Sequence, residues 1–240
     1  MNVIFKHCLK ITNKKRYAQI IFQEEVNDNS ITHLIDAIDN AFNYFNYDGI
    51  ELVLQSPGGS IVSMQILLDK FKKYQNEGKV LATKGYIDVA SAAAIILSAG
   101  TIGERSADKY CRILHHNSRV CGKNMTITSE DAKKYSEELD LYDKEFIKLL
   151  AGNGRSAWYY RIKQGENKEE NTKYYFEKLS ETIRDIGIEV NELDRVKSTE
   201  EAKDDTACEI LRYIYKKITE KGCYLTSEQA YYLLLVDKVE

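Results

Sequence analysis

The stretch from Gly49 to Gly85, "GIELVLQSPGGSIVSMQILLDKFKKYQNEGKVLATKG", decides the fold. Its first seven residues are short, apolar and strand-like, and they stop at Ser56-Pro57-Gly58-Gly59, which holds the only proline in the chain. "IVSMQILLDKFKKYQ" then repeats apolar residues at the helical period, and "KVLATKG" reads as a short strand. Upstream, "YAQIIFQE" (17–24) reads as another strand. "SITHLIDAIDNAFNYF" (30–45) reads as a helix capped by Ser30, with Ile31, Leu34, Ile35, Ile38 and Phe42 on one face. The order is βαβαβ. Such alternation implies parallel strands joined by crossover helices, with ligands gathering at the carboxyl ends of the strands. Ser56 to Ser60 and Asp88 to Ser91 both lie at such ends.

The bulk properties fit one α/β domain. The chain has 240 residues, 43% hydrophobic and 30% charged, enough for a filled core with an appendage. A net charge of −3 gives no electrostatic case for nucleic acid or an anionic membrane as partner. The longest apolar stretch, Val89 to Gly100, is shorter than the roughly 20 residues of a membrane span. The N-terminus has no signal-peptide core, so a cytoplasmic location is expected. Five cysteines, an odd number with no C-x-x-C spacing, read as reduced structural thiols. Neither a metal nor a cofactor is expected.

Beyond the third strand, "DVASAAAIILSAG" (88–100) is too apolar all round for a surface helix and reads as a buried one beginning near Ser91. "KYCRILHHNSRV" (109–120) reads as a strand with His115 and His116 at its exit. From Thr128 the texture changes to long charged helical stretches, 129–152 and 174–193. The ending "LTSEQAYYLLLVDKVE" (225–240) reads as a short helix capped by Thr226 or Ser227, then a last strand. The expected layout is a single domain: an α/β core over 1–125, a helical arm with an insertion over 126–218, and a closing segment over 219–240. "WYYRI" (158–162) reads either as a subunit contact or as a satellite core under the arm.

Three features come together in this topology: Gly58-Gly59 after a strand, Ser91 at a helix start, and His115-His116 at a strand end. They are the parts needed for acyl transfer. A serine hydroxyl attacks a carbonyl only when an imidazole within hydrogen-bond reach takes its proton. The oxyanion that forms needs preorganised N–H donors, which a glycine turn and the amide after the nucleophile supply. A plainer reading stands beside this one: Ser91 as a helix N-cap among small residues that let the helix pack closely on the sheet.

Four blocks, in order, carry a family resemblance. "LQSPGGSIVSMQILLDKFKKY" resembles the "NSPGG" strand-turn-helix of the ClpP family, the proteolytic subunits of the ATP-dependent Clp protease. "DVASAAAIILSAG" is similar to that family's "G-x-AAS" nucleophile turn, "CRILHHN" to its "SR(V/I)-x-IHQP" histidine strand, and "YLTSEQAYYLLLVDKV" to its C-terminal block. The resemblance implies a ClpP/crotonase-like fold with a repeated β-β-α core, a helical head or handle, and serine endopeptidase activity on peptides or unfolded proteins. It places the nucleophile on Ser91 and the general base on His116, which follows Arg112 by four positions and Ser91 by 25. The amides of Gly59 and Ala92 match the oxyanion hole. A homo-oligomeric ring and an AAA+ unfoldase partner are further implications. His115, facing the other side of its strand, is expected in a core or interface, His7 and His33 at or near the surface, and Arg112 and Asp237 in structural ion pairs.

Two departures qualify the resemblance. The family's triad aspartate aligns with Gly222; Glu220 is the nearest carboxylate to consider, with Asp204 or Asp205 as further options. The segment after His116 lacks the family's Gln-Pro, and 153–218 is longer than the family pattern, which argues against the same ring-to-ring contact. Two alternative functions follow: a weak or inactive ClpP-like scaffold or regulatory subunit, and a crotonase-like acyl-CoA enzyme.

Overall fold

The computed structural model describes residues 3–12, 15–120, 127–164, 168–188 and 205–240. Their sheet has eight strands: β1 (Val3–Thr12), β2 (Lys15–Phe22), β3 (Gly49–Ser56), β4 (Val80–Ala90), β5 (Arg105–Ala107), β6 (Arg112–Leu114), β7 (Tyr224–Thr226) and β8 (Lys238–Val239). The main path is β1-β2-β3-β4-β5-β8, with β6 paired to β4 and β7 to β6. β2, β3, β4, β5 and β8 run parallel; β1 is an antiparallel edge on β2, and β7 is antiparallel to β6. The βαβαβ reading holds, and the sheet is mixed because of β1, an element the sequence reading did not identify.

Helix α1 (Asp28–Asp39) starts earlier than expected. Its N-cap is Asn27, whose side chain accepts from the Ser30 N–H, while the Ser30 hydroxyl accepts from the Asn27 N–H. Ser30 therefore closes a capping box from the third helical position and is not the cap itself. A π-helical turn at Asn40–Tyr44 continues α1. Ile31, Leu34 and Ile38 of α1, together with Met64, Leu67 and Phe71 of α2 (Ile61–Asn76), are buried with Ile20, Leu52 and Leu54 of the sheet. Ser60 caps α2 by accepting from the Ser63 N–H at 3.2 Å.

β4 is longer than the short strand expected, at 11 residues, and it changes partner midway. Thr83 to Gly85 pair with β5, and Asp88 to Ala90 pair with β6. Between them the register with β3 jumps from Leu54↔Gly85 to Ser56↔Val89, and Ile87 takes a φ of 58°. This bulge carries the strand past the end of β5.

β4 runs directly into α3 (Ala92–Ser98), whose Ala92, Ala93, Ala94, Ile96 and Leu97 are buried, as the all-apolar sequence requires. The arm is α4 (Ser129–Gln164), α5 (Lys168–Asp185) and α6 (Asp205–Lys221). α6 packs on α4 through Ile210, Leu211, Ile214 and Tyr215; a Cβ on Gly154 would lie 2.6 Å from the Tyr215 hydroxyl, so the glycine permits the close approach. Trp158 packs in tilted contacts with Tyr175 and Phe176, ring centroids 5.0 and 4.8 Å apart, and the Arg161 guanidinium lies 3.8 Å over Tyr231. Trp158 and Arg161 thus belong to a satellite core between α4, α5 and α7 (Ser227–Tyr232), the second of the two readings of this stretch. Thr226, not Ser227, caps α7 in a capping box with Gln229.

The closing segment is bound by a buried ion pair. Arg105, fully buried, meets Asp237 at both oxygens (2.8 and 2.7 Å) and also donates to the carbonyls of Ser98 and Leu234. Arg112 pairs with Asp88 at 2.5 Å. Both expected structural residues therefore occupy ion pairs. Cys111, Cys208 and Cys223 are free thiols; the side chains of Cys8 and His7, and all of Cys121 and Asp204, lie outside the described residues, as does the Asp205 side chain.

Candidate active site

The parallel pairing of β4 and β6 matches Ala90 to Leu114, so Ser91 and the two histidines emerge side by side from the carboxyl ends of adjacent strands. The Ser91 N–H donates to the Leu114 carbonyl at 2.8 Å and fixes the turn to β6. Ser91 has φ 57° and ψ −128°, a conformation that costs a non-glycine residue about 1–3 kcal/mol. It stands at the N-cap position of α3, yet its hydroxyl makes no capping bond. The N-cap reading therefore fails: Ser91 stands at the cap position without making the bond that defines a cap. A strained strand-to-helix turn that frees a serine hydroxyl is the geometry of a nucleophile elbow.

Gly58 and Gly59 border this turn. A Cβ on Gly58 would lie 2.5 Å from the Ala90 carbonyl and 2.6 Å from Ser91 Cβ, so only glycine fits. Val26 forms a parallel bridge with Gly59: its N–H donates to the Gly58 carbonyl and its carbonyl accepts from the Ser60 N–H, both at 2.7 Å. A residue bridged through its two neighbours directs its own N–H away from the partner strand. The Gly59 amide is thereby turned from Val26, and the first helical amide, Ala92, has no acceptor within α3. Gly59, Ser91, Ala92 and His116 line one cavity of about 500 Å³, with Met64, Ile95 and Phe146 among its apolar walls. Glu25 and Arg119 add one charge of each sign.

The two histidines differ. His115 is buried, its Nε2 has no hydrogen-bond partner, and burial, with a smaller effect from His116, pushes its pKa down to about 4. It is a core residue, as expected. His116 is half-buried, and its Nδ1 lies 2.6 Å from the Asn117 carbonyl. A carbonyl only accepts, so Nδ1 is the donor in this contact, and in the neutral ring Nε2 is then the nitrogen with the lone pair. His33 is half-buried on α1, away from the cavity lining.

No carboxylate touches His116 among the described residues. Gly222, at φ 60°, ends α6 with the position of its missing Cβ 3.5 Å from His116 Cβ. The carboxylate considered as third member, Glu220, is not brought to the imidazole. It bonds Lys217 at 2.9 Å, and this bond, with the Lys217 and Lys216 charges, holds its carboxyl below the usual range. It lines a separate charged groove between α4 and α6. What the sequence reading missed is the loop's anchorage: the Asn117 N–H donates to the Thr219 carbonyl at 3.1 Å, and the Ser118 N–H to Asp143 Oδ1 at 2.8 Å. Main-chain partners leave no composition signal, and Asp143 resembles any acid on the wet side of α4. No group of three or more His, Cys, Asp or Glu among the described residues is placed to hold a metal. No described helix is long and apolar enough to cross a membrane.

Comparison with known proteins agrees with this geometry. The family model described as Clp protease matches residues 6–165. The ATP-dependent Clp protease proteolytic subunit 2 of Corynebacterium jeikeium is 29% identical over 120 residues, covering 50% of this chain and 55% of that protein. The corresponding proteolytic subunit of Bacteroides thetaiotaomicron is 27% identical over 118 residues, 45% of this chain and 52% of the relative. The chain thus spans about half the length of the curated relatives it matches. Among solved structures, the ClpP protease catalytic domain of Plasmodium falciparum superposes with a TM-score of 0.55 at 17% identity, over 92% of this chain and 83% of that one.

Proposed function

Because this chain belongs to the Clp protease family, we propose that it is a serine endopeptidase acting on peptides or unfolded proteins inside an oligomeric chamber. Ser91 Oγ attacks the scissile carbonyl while His116 Nε2 takes its proton. The carbonyl oxygen, now an anion, is received by the amides of Gly59 and Ala92. On collapse of the tetrahedral intermediate the imidazolium returns the proton to the leaving amine, and water repeats the cycle on the acyl-enzyme. The observation that carries the reading is Ser91 itself: a strained, uncapped hydroxyl sharing a cavity with an imidazole whose Nδ1 is already occupied.

That no carboxylate touches His116 among the described residues supports a second reading, a weakly active or inactive scaffold. Replacing the triad aspartate of a well-studied protease lowers kcat by about 10⁴, so turnover here is expected to be slow. One experiment separates the two. The folded protein is treated with a fluorophosphonate or β-lactone probe and weighed intact, with Ser91→Ala as control. A single adduct on the wild type and none on the variant supports the peptidase; no adduct on either supports the scaffold.

A further inference from the structure

We propose that Asp143 is a positioning residue for His116, acting through one peptide group in place of the carboxylate that Gly222 lacks. The inference rests on the peptidase reading above. The Asn117 carbonyl, 2.6 Å from His116 Nδ1, and the Ser118 N–H, 2.8 Å from Asp143 Oδ1, belong to the same peptide unit. No cis peptide occurs among the described residues, so this carbonyl and N–H point in opposite directions, with the imidazole on one side and the carboxylate on the other. A bond to an ionised acceptor is stronger than a neutral one, and donation from the N–H polarises the carbonyl into a better acceptor. The negative charge of Asp143 thus reinforces the bond that holds the ring proton on Nδ1 and steadies the imidazolium formed during attack. Thr219 fixes the preceding amide from α6, so the loop is gripped from two helices.

Two sequence features point the same way. The family's histidine motif has proline where Ser118 stands, and proline has no N–H to donate. Against the motifs it resembles, this chain has a glycine at 222 where a carboxylate is expected and an N–H donor at Ser118 where a proline is expected. Other charges surround the loop: Arg119 on the loop itself, Glu25 across the cavity, Lys144 on α4 and Lys216 beside Glu220 on α6. Among the described residues none of them is hydrogen-bonded to the imidazole or to its peptide partner.

The test measures the rate of Ser91 acylation by a fluorophosphonate in the full-length protein, with thermal melting as a check on folding. Asp143→Asn keeps an acceptor but removes the charge, and is expected to label about 3–10-fold slower; Asp143→Leu removes both and is expected to lose about 10–100-fold. Gly222→Asp in the Asp143→Leu background should recover most of the loss. Its Cβ would meet His116 Cβ at 3.5 Å, an ordinary contact, and aspartate tolerates the left-handed backbone better than most residues. A carboxylate on a different helix cannot restore a purely structural role of Asp143. Wild-type rates in both Asp143 variants, or a loss that Gly222→Asp leaves unrepaired, overturn the proposal. A wild type that never labels sinks the peptidase reading instead. The peptide link is then judged by the ring ¹⁵N shifts of His116: a proton on Nδ1 in the wild type that becomes shared with Nε2 in Asp143→Leu supports it, and unchanged shifts overturn it.

Discussion

Ser91 shows how far a single residue can be read. From the sequence, a hydroxyl at the start of an alanine-rich helix is as good a cap as a nucleophile. The backbone argues against the cap, since φ 57° strains the residue and its hydroxyl caps nothing. Strain at this position predicts an exchange of stability for reactivity. Ser91→Gly, which accepts the left-handed φ, should raise stability by about 1 kcal/mol and Tm by roughly 2–4 °C while abolishing labelling. A lower Tm would refute stored strain at the turn. Gly58→Ala should act oppositely, lowering Tm and labelling together, because its Cβ would collide with the Ala90 carbonyl and Ser91 Cβ. His115 makes a pH prediction. Folded, it takes a proton near pH 4; unfolded, near 6.5. Between those values the unfolded chain binds more protons, so the stability due to neutral His115 is complete above pH 6.5 and falls as pH drops toward 4, by roughly 3 kcal/mol. Urea titrations of wild type and His115→Phe across that window check it: the variant should lack this part of the slope.

At the scale of elements, legibility followed the strength of the local signal. α2 and β3 were readable because periodicity, Pro57 and two glycines agree with one another. β4 was read too short: the bulge at Ile87 breaks the alternation, and only pairing with β6 reveals that the strand continues to Ala90. β1 is an edge strand whose "VIFKHCLKIT" sequence lacks a clear alternation of apolar residues, and it exists through pairing with β2. α1 begins at Asp28 because Asn27 and Ser30 share the capping box, a three-residue offset that composition alone leaves ambiguous. The Arg105–Asp237 pair joins β5, the end of α3 and the strand β8, linking residues 132 positions apart, which no local pattern can foretell. Burial opposes ionisation of Asp237, but the bonds and charge of Arg105 outweigh it and hold the carboxyl below its usual range. Breaking one side leaves a buried charge unpaired, so Asp237→Asn or Arg105→Met should each cost about 3–5 kcal/mol by urea unfolding. A loss under 1 kcal/mol would mean the segment is held by its apolar contacts alone.

At the scale of the molecule, the site is assembled by segments far apart in sequence. The core supplies Ser91 and the glycine turn, while α4 and α6 hold the His116 loop through Asp143 and Thr219. On the proposed mechanism the arm is therefore coupled to the chemistry and is more than an outgrowth. With α4 about 54 Å long at 1.5 Å per residue, the arm also presents a large surface for neighbours. The sequence signalled its helices but not this grip, because helix-to-loop bonds of this kind carry no periodic signature. The proposed chamber makes a further demand, that copies of the chain associate. On α2, Val62 and Ile66 lie one turn apart, 55% and 53% exposed, and Val62 also borders the active cavity. Apolar residues so placed beside the proposed nucleophile suit a contact with a second copy better than permanent exposure to water. Sedimentation velocity should therefore find the wild type as an assembly several times the 27.6 kDa of one chain. Val62→Glu with Ile66→Glu should shift it toward the monomer without lowering Tm by more than about 2 °C, as expected for surface substitutions. A wild type that sediments at the mass of one chain across micromolar concentrations would rule out the chamber.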